Sequence, residues 1–245
     1  MDYLRKKGLA VGRVYEDKLQ KARRAEVRRV LLMCRDFNDP EQWEDVIRLH
    51  LDESGYYYDW MRGLYLNAGL PRAKSITRDL SRSKAEDPSG MWEAELSKYA
   101  RERAGENIVS VEGTLKDELK KILRHRMDTE DAVGVEKLTQ QVFRDYGLIA
   151  EWMVRRIAQT ETMIGLAEAG DVAARSLDIG FTKTWAVSGL GNTRDTHLAM
   201  DGIEVDDDEP FRLEDCLMMY PHDSSFGAPA GEIINCACDC IRRPK

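Results

Sequence analysis

The sequence predicts a mainly α fold with a small C-terminal α+β domain: a helical N-terminal body, a long connecting helix and short strands at the C-terminus. Three observations carry that prediction. Proline is absent across residues 89–209, and a helix interior rejects proline at a cost of about 3 kcal/mol. Val135, Leu138, Val142, Tyr146, Ile149, Met153, Ile157 and Ile164 recur at steps of three, four or seven, the spacing of one helix face. After Gly170 the pattern changes: Phe181, Lys183, Trp185 and Val187 alternate with Thr182, Thr184, Ala186 and Ser188, as a strand requires.

The elements follow in chain order. Residues 1–35 are rich in good helix formers. Asp39-Pro40-Glu41 reads as an N-cap with proline at the first helical position, opening a helix through Trp43, Val46, Ile47, Leu49 and His50. Ser54-Gly55 is a break, followed by the aromatic group Tyr56, Tyr57, Tyr58, Trp60 and Tyr65. Ala68-Gly69-Leu70-Pro71 reads as a turn, and Asp87-Pro88-Ser89-Gly90 as a stronger turn or hinge. A charged helix spans Leu115 to Met127, and the stripe beginning at Val135 is the connecting helix, widened by Phe143 and Trp152. Gly189-Leu190-Gly191-Asn192 closes the first strand with a turn. Ile233-Ile234-Asn235-Cys236-Ala237-Cys238 reads as a second strand. The expected division is a helical region, 1–130, and a C-terminal domain, 131–245.

Composition narrows the classes of function. Hydrophobic residues make up 42% of the 245 and charged residues 33%, enough apolar content for a core beneath a heavily charged surface, which excludes a disordered chain. No apolar run approaches the roughly 20 residues that span a bilayer, so no membrane partner is expected. Met1-Asp2-Tyr3-Leu4-Arg5-Lys6-Lys7 is not followed by an apolar segment, so no secretory signal is read and synthesis is assigned to the cytoplasm. The net charge of -7 is unevenly spread: residues 1–35 hold eleven Lys/Arg against four Asp/Glu, a local +7, leaving -14 for the rest. A basic arm of this kind meets either DNA or an acidic protein surface, or is simply a solvated helix face.

Four of the five cysteines, Cys216, Cys236, Cys238 and Cys240, fall in the last thirty residues, with Cys34 apart. An odd number without a signal segment points to thiol or metal chemistry rather than a disulfide framework. In a strand, Cys236 and Cys238 project from one face and address one point. Thiolates suit Zn²⁺, and His197 is the best further ligand, ahead of His222, Cys216 and Asp201. The alternative is that these are small buried side chains at a packed strand end. Cys236 with His197 as nucleophile and base lacks any protease signature around it. A nuclease or hydrolase using His197 with nearby acids is the enzymatic alternative, although Asp206-Asp207-Asp208-Glu209 lacks calcium-loop spacing. Gly189-Leu190-Gly191 is too incomplete for a phosphate loop.

The C-terminal third carries an ordered set of short motifs: Ala158-Gln159-Thr160-Glu161-Thr162 on a helix, Lys183-Thr184-Trp185 on a strand, then Thr193-Arg194-Asp195-Thr196-His197, Asp201-Gly202, Pro210-Phe211, Ala230-Gly231-Glu232 and Asn235-Cys236-Ala237-Cys238. Over about residues 135–240 this order resembles the phage head morphogenesis family, the Mu F-like minor head proteins. Ala237 stands where the family has arginine, and Cys240 is an additional cysteine. The resemblance implies a non-enzymatic structural minor head protein of a tailed bacteriophage. It would be made in the host bacterial cytoplasm and built in several copies into the virion head. It would act near the portal vertex in head assembly and in DNA packaging or ejection. Portal protein, major capsid protein, or both would be its partners, with DNA contact through the basic arm. It further implies that Thr160, Glu161, Trp185, Arg194, Asp201, Gly202 and Asn235 form the structural motif around a zinc clamp of His197, Cys236 and Cys238. Members of the family are sometimes fused to toxin domains, so an effector delivered with the virion is a third reading; the five residues after Cys240 argue against a toxin domain following here.

Overall fold

The computed structural model describes residues 2–34, 40–50, 54–80, 88–129, 135–188 and 193–245. It is mainly helical, with short antiparallel strands confined to the C-terminal part, as the sequence predicts. The helices are α1 (Asp2–Cys34), α2 (Pro40–His50), α3 (Ser54–Leu80), α4 (Ser89–Thr129) and α5 (Val135–Arg175), followed by the single turns α6 (Asp195–Leu198) and α7 (Ala230–Ile233). Strands β1 (Phe181–Ala186), β2 (Glu204–Asp206) and β5 (Asp239–Pro244) form one sheet, in the order β2-β1-β5. β3 (Phe211–Arg212) pairs with β4 (Leu217–Met218) in a second.

Packing groups the chain into two compact units. One gathers Met1–Val14, Arg62–Ala100 and Arg156–Lys245; the other gathers Tyr15–Met61 and Arg101–Arg155. The second unit is a helical core in which Val27, Val30, Leu31 and Cys34 of α1 meet Trp43, Val46 and Ile47 of α2, Leu119 and Ile122 of α4, and Val142, Tyr146 and Met153 of α5. Tyr57 stacks on Trp60 with ring centres 5.4 Å apart, and the Trp60 indole N–H donates to the Tyr15 carbonyl at 2.6 Å. The stripe on α5 thus finds its partners. Trp152 does not join it and stays 59% exposed, while Phe143 packs against the cluster edge. Val135, Leu138 and Ile149 have side chains outside the described residues. On α1, Lys21 pairs with Asp17 and Arg29 with Glu26, while Arg24 pairs with Glu151 of α5, so part of the basic arm is neutralised.

In the first unit, Ala73, Ile76 and Leu80 of α3, Trp92 and Leu96 of α4, and Ala169, Ala173 and Ala174 of α5 enclose Phe181 of β1. Helices α3 and α5 approach closely: a methyl group at Gly69 would lie 2.9 Å from Ala169 Cβ. Here the structure corrects the expected turn at Ala68-Gly69-Leu70-Pro71, because α3 runs through Pro71 without a break. Pro71 faces solvent beside the exposed Asn67, whose carbonyl loses its helical partner but can meet water, while buried Ala68 and Ala73 hold the helix on either side. The hinge expected at Asp87–Gly90 is a helix start, with the Pro88 carbonyl accepting from Met91 and Trp92; Asp87 lies outside the described residues. So do Asp39 and the turn expected at Gly189–Asn192.

β1 is the strand that alternation predicts, with Phe181, Lys183 and Trp185 buried. Its register places Thr184 opposite Glu204 of β2, Lys183 opposite Arg242 of β5, and Trp185 opposite Cys240. The second strand is displaced from its expected place. Ala230–Ile233 forms α7, Asn235 turns the chain through a left-handed conformation (φ 58°), and β5 begins only at Asp239. Asn is among the few residues that adopt that conformation readily.

Candidate metal centre

The turn between α7 and β5 brings the predicted cysteines to the predicted histidine. His197, Cys236 and Cys238 are buried, and one ligand atom from each lies within 4.8 Å of the other two. His197 Nδ1 is 3.4 Å from both sulfurs. A tetrahedral zinc ion, with bonds of about 2.3 Å to sulfur and about 2.1 Å to nitrogen, places such donors about 3.6 Å apart. The three side chains therefore stand close to ligand spacing. His222, Cys216 and Asp201, the further candidates from the sequence, are not part of this cluster.

The surroundings orient each donor. On the far side of the imidazole, Nε2 lies 2.8 Å from Glu232 Oε2. A carboxylate on that side, with Nδ1 turned to the two sulfurs, is the placement from which a partner orients a metal-binding histidine. Thr196 holds the same carboxylate at 3.0 Å. The Trp185 ring meets His197 edge-on at 5.3 Å, and Phe211 closes on Trp185 at the same distance. The Cys238 amide donates to Cys236 Sγ at 3.4 Å. The two thiols ionise as a pair. Cys238 is held down to about 5, first by the Cys236 thiol and then by His197 and Trp185. Cys236 is pushed up by its bond to Cys238 and by burial. A cation held here would need both thiols ionised, and each proton released on binding ties metal affinity to pH.

The remaining predicted residues tie the turns together. Arg194 donates to the Ile234 carbonyl at 2.6 Å, joining α6 to the cysteine turn. Thr160 of α5 accepts from the Asn235 amide at 3.2 Å. Asp201 accepts from the Val187 amide at 3.0 Å, and Gly202, at φ 77°, donates to the Trp185 carbonyl at 2.9 Å. Glu161 is directed elsewhere, accepting from the Tyr65 hydroxyl of α3 at 2.6 Å. Glu232 is the participant that the sequence reading placed in a motif but not in the site. Its signal was positional: it stands four residues before Cys236, across one helical turn and a bend.

A second group of polar side chains lies behind the sheet. The Arg72 guanidinium of α3 meets both oxygens of Asp239 at 3.0 Å. Asp171 of α5 pairs with Arg175 at 2.7 Å and faces Arg242 at 3.5 Å. The Tyr220 hydroxyl donates to Glu168, whose carboxyl burial pushes up to about 7. Lys183 is buried above the Phe211 ring, and desolvation lowers its pKa. A separate cleft of about 500 Å³ is lined by Arg175, Asp178, Gly180, Phe181, Asp207 and Asp208, among others.

No family model matches the chain, and no solved structure matches it. A curated protein that does match is NAD(+)–arginine ADP-ribosyltransferase EFV of Enterococcus faecalis (strain ATCC 700802 / V583), 33% identical over 111 residues. The match covers 40% of this chain and 22% of that protein, so the chain spans about a fifth of the relative's length. It corrects the expectation of a non-enzymatic structural minor head protein, because the shared stretch belongs to a protein named for an enzymatic activity. The nuclease or hydrolase alternative, which called for His197 with nearby acids, finds a different donor set among the described residues. The cluster around His197 contains two thiols and no carboxylate ligand, and Asp206 pairs instead with Lys245 at 3.0 Å.

Proposed function

We propose that the chain acts in NAD-dependent ADP-ribosylation of arginine side chains, with its C-terminal part serving as a scaffold clamped by one zinc ion. The observation that carries the scaffold is the buried His197–Cys236–Cys238 cluster with Glu232 on the far nitrogen of the histidine. Two soft donors and an oriented imidazole favour zinc over magnesium or calcium, which prefer oxygen. When bound, the ion supplies cross-linking rather than chemistry: it joins α6 to the turn before β5 in a unit whose strands run only two to six residues. Small units with thin cores gain most from such a clamp.

The transferase class rests on the stretch shared with the enterococcal protein. The head-morphogenesis motifs of the C-terminal part support a phage setting for that enzyme, as an effector carried with the virion and neighbouring its portal or capsid protein. Two measurements test the reading. Elemental analysis of the purified chain should give one zinc per chain, lost in Cys236→Ser. The zinc-loaded chain, given NAD⁺ and an arginine analogue as acceptor, should release nicotinamide only when the acceptor is present. A folded, zinc-loaded chain that releases none removes the transferase class and leaves the scaffold standing.

A further inference from the structure

We propose that His222 is a positioning residue for the metal centre, acting through the backbone of Cys238; the inference rests on the zinc reading above. His222 is buried at 1% exposure and sits in a left-handed backbone conformation, φ 76°. Both features cost free energy: a polar ring leaves water, and a non-glycine residue takes a disfavoured conformation. The ring meets the Cys238 carbonyl, 3.3 Å from Nε2, and the Ile233 backbone also faces it.

That contact lies on the residue whose other groups build the site. The Cys238 amide donates to Cys236 Sγ, and the Cys238 thiol faces His197 Nδ1. Fixing the carbonyl removes the rotation of this backbone that would swing amide and thiol away from the ion. His222 is itself held by a stapled turn. Asp223 accepts from the Met219 amide at 2.8 Å, from the Ser225 amide at 2.9 Å and from the Ser225 hydroxyl at 2.8 Å. The Asp223 amide closes the turn on the Tyr220 carbonyl at 3.0 Å. The rigid 219–225 turn thus carries the imidazole to the cysteine turn without His222 entering the ligand cluster.

Partners that orient metal ligands typically contribute about 10- to 100-fold in metal affinity. In the full-length chain, His222→Phe fills the space without a nitrogen and should weaken zinc binding by about that factor, measured by competition with a chromophoric chelator. The cobalt-substituted variant should show a displaced sulfur-to-metal absorption band, because the Cys238 sulfur is no longer fixed. His222→Gln returns an N–H within reach of the carbonyl and should restore most of the affinity. Tyr220→Phe is the control for general loosening, since it breaks the bond to Glu168 from the same turn and leaves Cys238 untouched. The proposal is overturned by a His222→Phe chain with wild-type affinity and spectrum. An equal loss in Tyr220→Phe, or X-ray absorption showing two imidazole nitrogens on the metal, overturns it too. A wild-type chain that takes up no zinc overturns the metal reading itself, which is a distinct result from any of these.

Discussion

In the second unit, Val27, Leu31, Trp43, Ile47, Leu119, Val142 and Tyr146 meet across four helices in an apolar cluster, and Arg23 is the buried charge beside it among the described residues. In the first unit, the space around β1 and β5 holds Lys183, Arg242, Asp171, His197, His222 and three cysteines, all buried. The contrast follows from element length. Helices of 33 and 41 residues repeat an apolar face often enough to form a core from side-chain burial alone, at about 25 cal/mol per Å² removed from water. A sheet of three- and six-residue strands cannot, so directional bonds take over, joined on the reading proposed above by a chelated ion. One region should tolerate volume-preserving changes and ignore chelators, and the other should do the reverse.

The sharpest way to break that comparison is to remove the clamp. Metal binding to such a site is folding free energy, on the order of 10 kcal/mol for structural zinc in small domains. A strong chelator, or Cys238→Ser, is expected to abolish amide protection across β1, β2 and β5 in hydrogen-exchange mass spectrometry. The amides around Trp43 and Val142 should keep theirs. Equal loss in both regions would mean that the second unit has no independent core.

The reverse experiment cuts the apolar core. Trp43→Ala removes a side chain that is 2% exposed, and truncations of this kind cost about 3–5 kcal/mol. Calorimetry should show the second unit melting earlier while elemental analysis still finds one zinc per chain. Zinc lost in proportion to stability would show that the clamp depends on the helical core.

These two regions also differ in how much of them was legible in the sequence. Periodicity exposes anything that repeats, so the α5 stripe and the alternation of Phe181, Lys183 and Trp185 could be read directly. Pro71 misled because its cost is local, whereas the close packing of Gly69 on Ala169 within a helix that continues through Pro71 is a long-range fact. Cys236 and Cys238 were paired correctly through the wrong geometry: a turn set by Asn235, rather than a strand, aims both sulfurs inward. Glu232 escaped the site reading because its four-residue spacing from Cys236 does not say that it faces the far nitrogen of His197. The polar group of Glu168, Asp171, Tyr220 and Arg242 left no spacing to read, since its pairs join residues of α5 to Tyr220, 52 positions on, and to Arg242 of β5, 71 positions on.

That group supplies a prediction of intermediate size. The Glu168 carboxyl is raised from 4.5 to about 7, burial being the largest cause. A raised carboxyl binds its proton more tightly in the folded state. Its contribution is therefore complete below about pH 4.5 and is lost as pH rises through about 7. Allowing for partial exposure, about 2 kcal/mol is at stake. Zinc retention runs the other way, since acid protonates the thiolates, so the informative quantity is the difference between wild type and Glu168→Gln at each pH in urea. Glu168→Gln should be relatively more stable at pH 8 than at pH 5; a difference that does not change with pH removes Glu168 from the account.

The smallest effect tests whether the cysteine turn is held by conformation as well as by metal. Asn235 occupies φ 58°, where a residue with an ordinary Cβ is penalised by about 1–2 kcal/mol and glycine by almost nothing. Its backbone amide, donating to Thr160 at 3.2 Å, is present whatever the side chain. Asn235→Gly should therefore leave stability within a few tenths of a kcal/mol, and Asn235→Ala should lose about 1 kcal/mol. In a chain of this size that loss is a fall of about 2–4 °C in Tm. If the metal alone dictated the turn, zinc-loaded Asn235→Ala and Asn235→Gly would melt together, and the difference between them would appear only after chelation. A difference that persists with zinc bound assigns the turn to the backbone first, with the ion locking a geometry the sequence has already chosen.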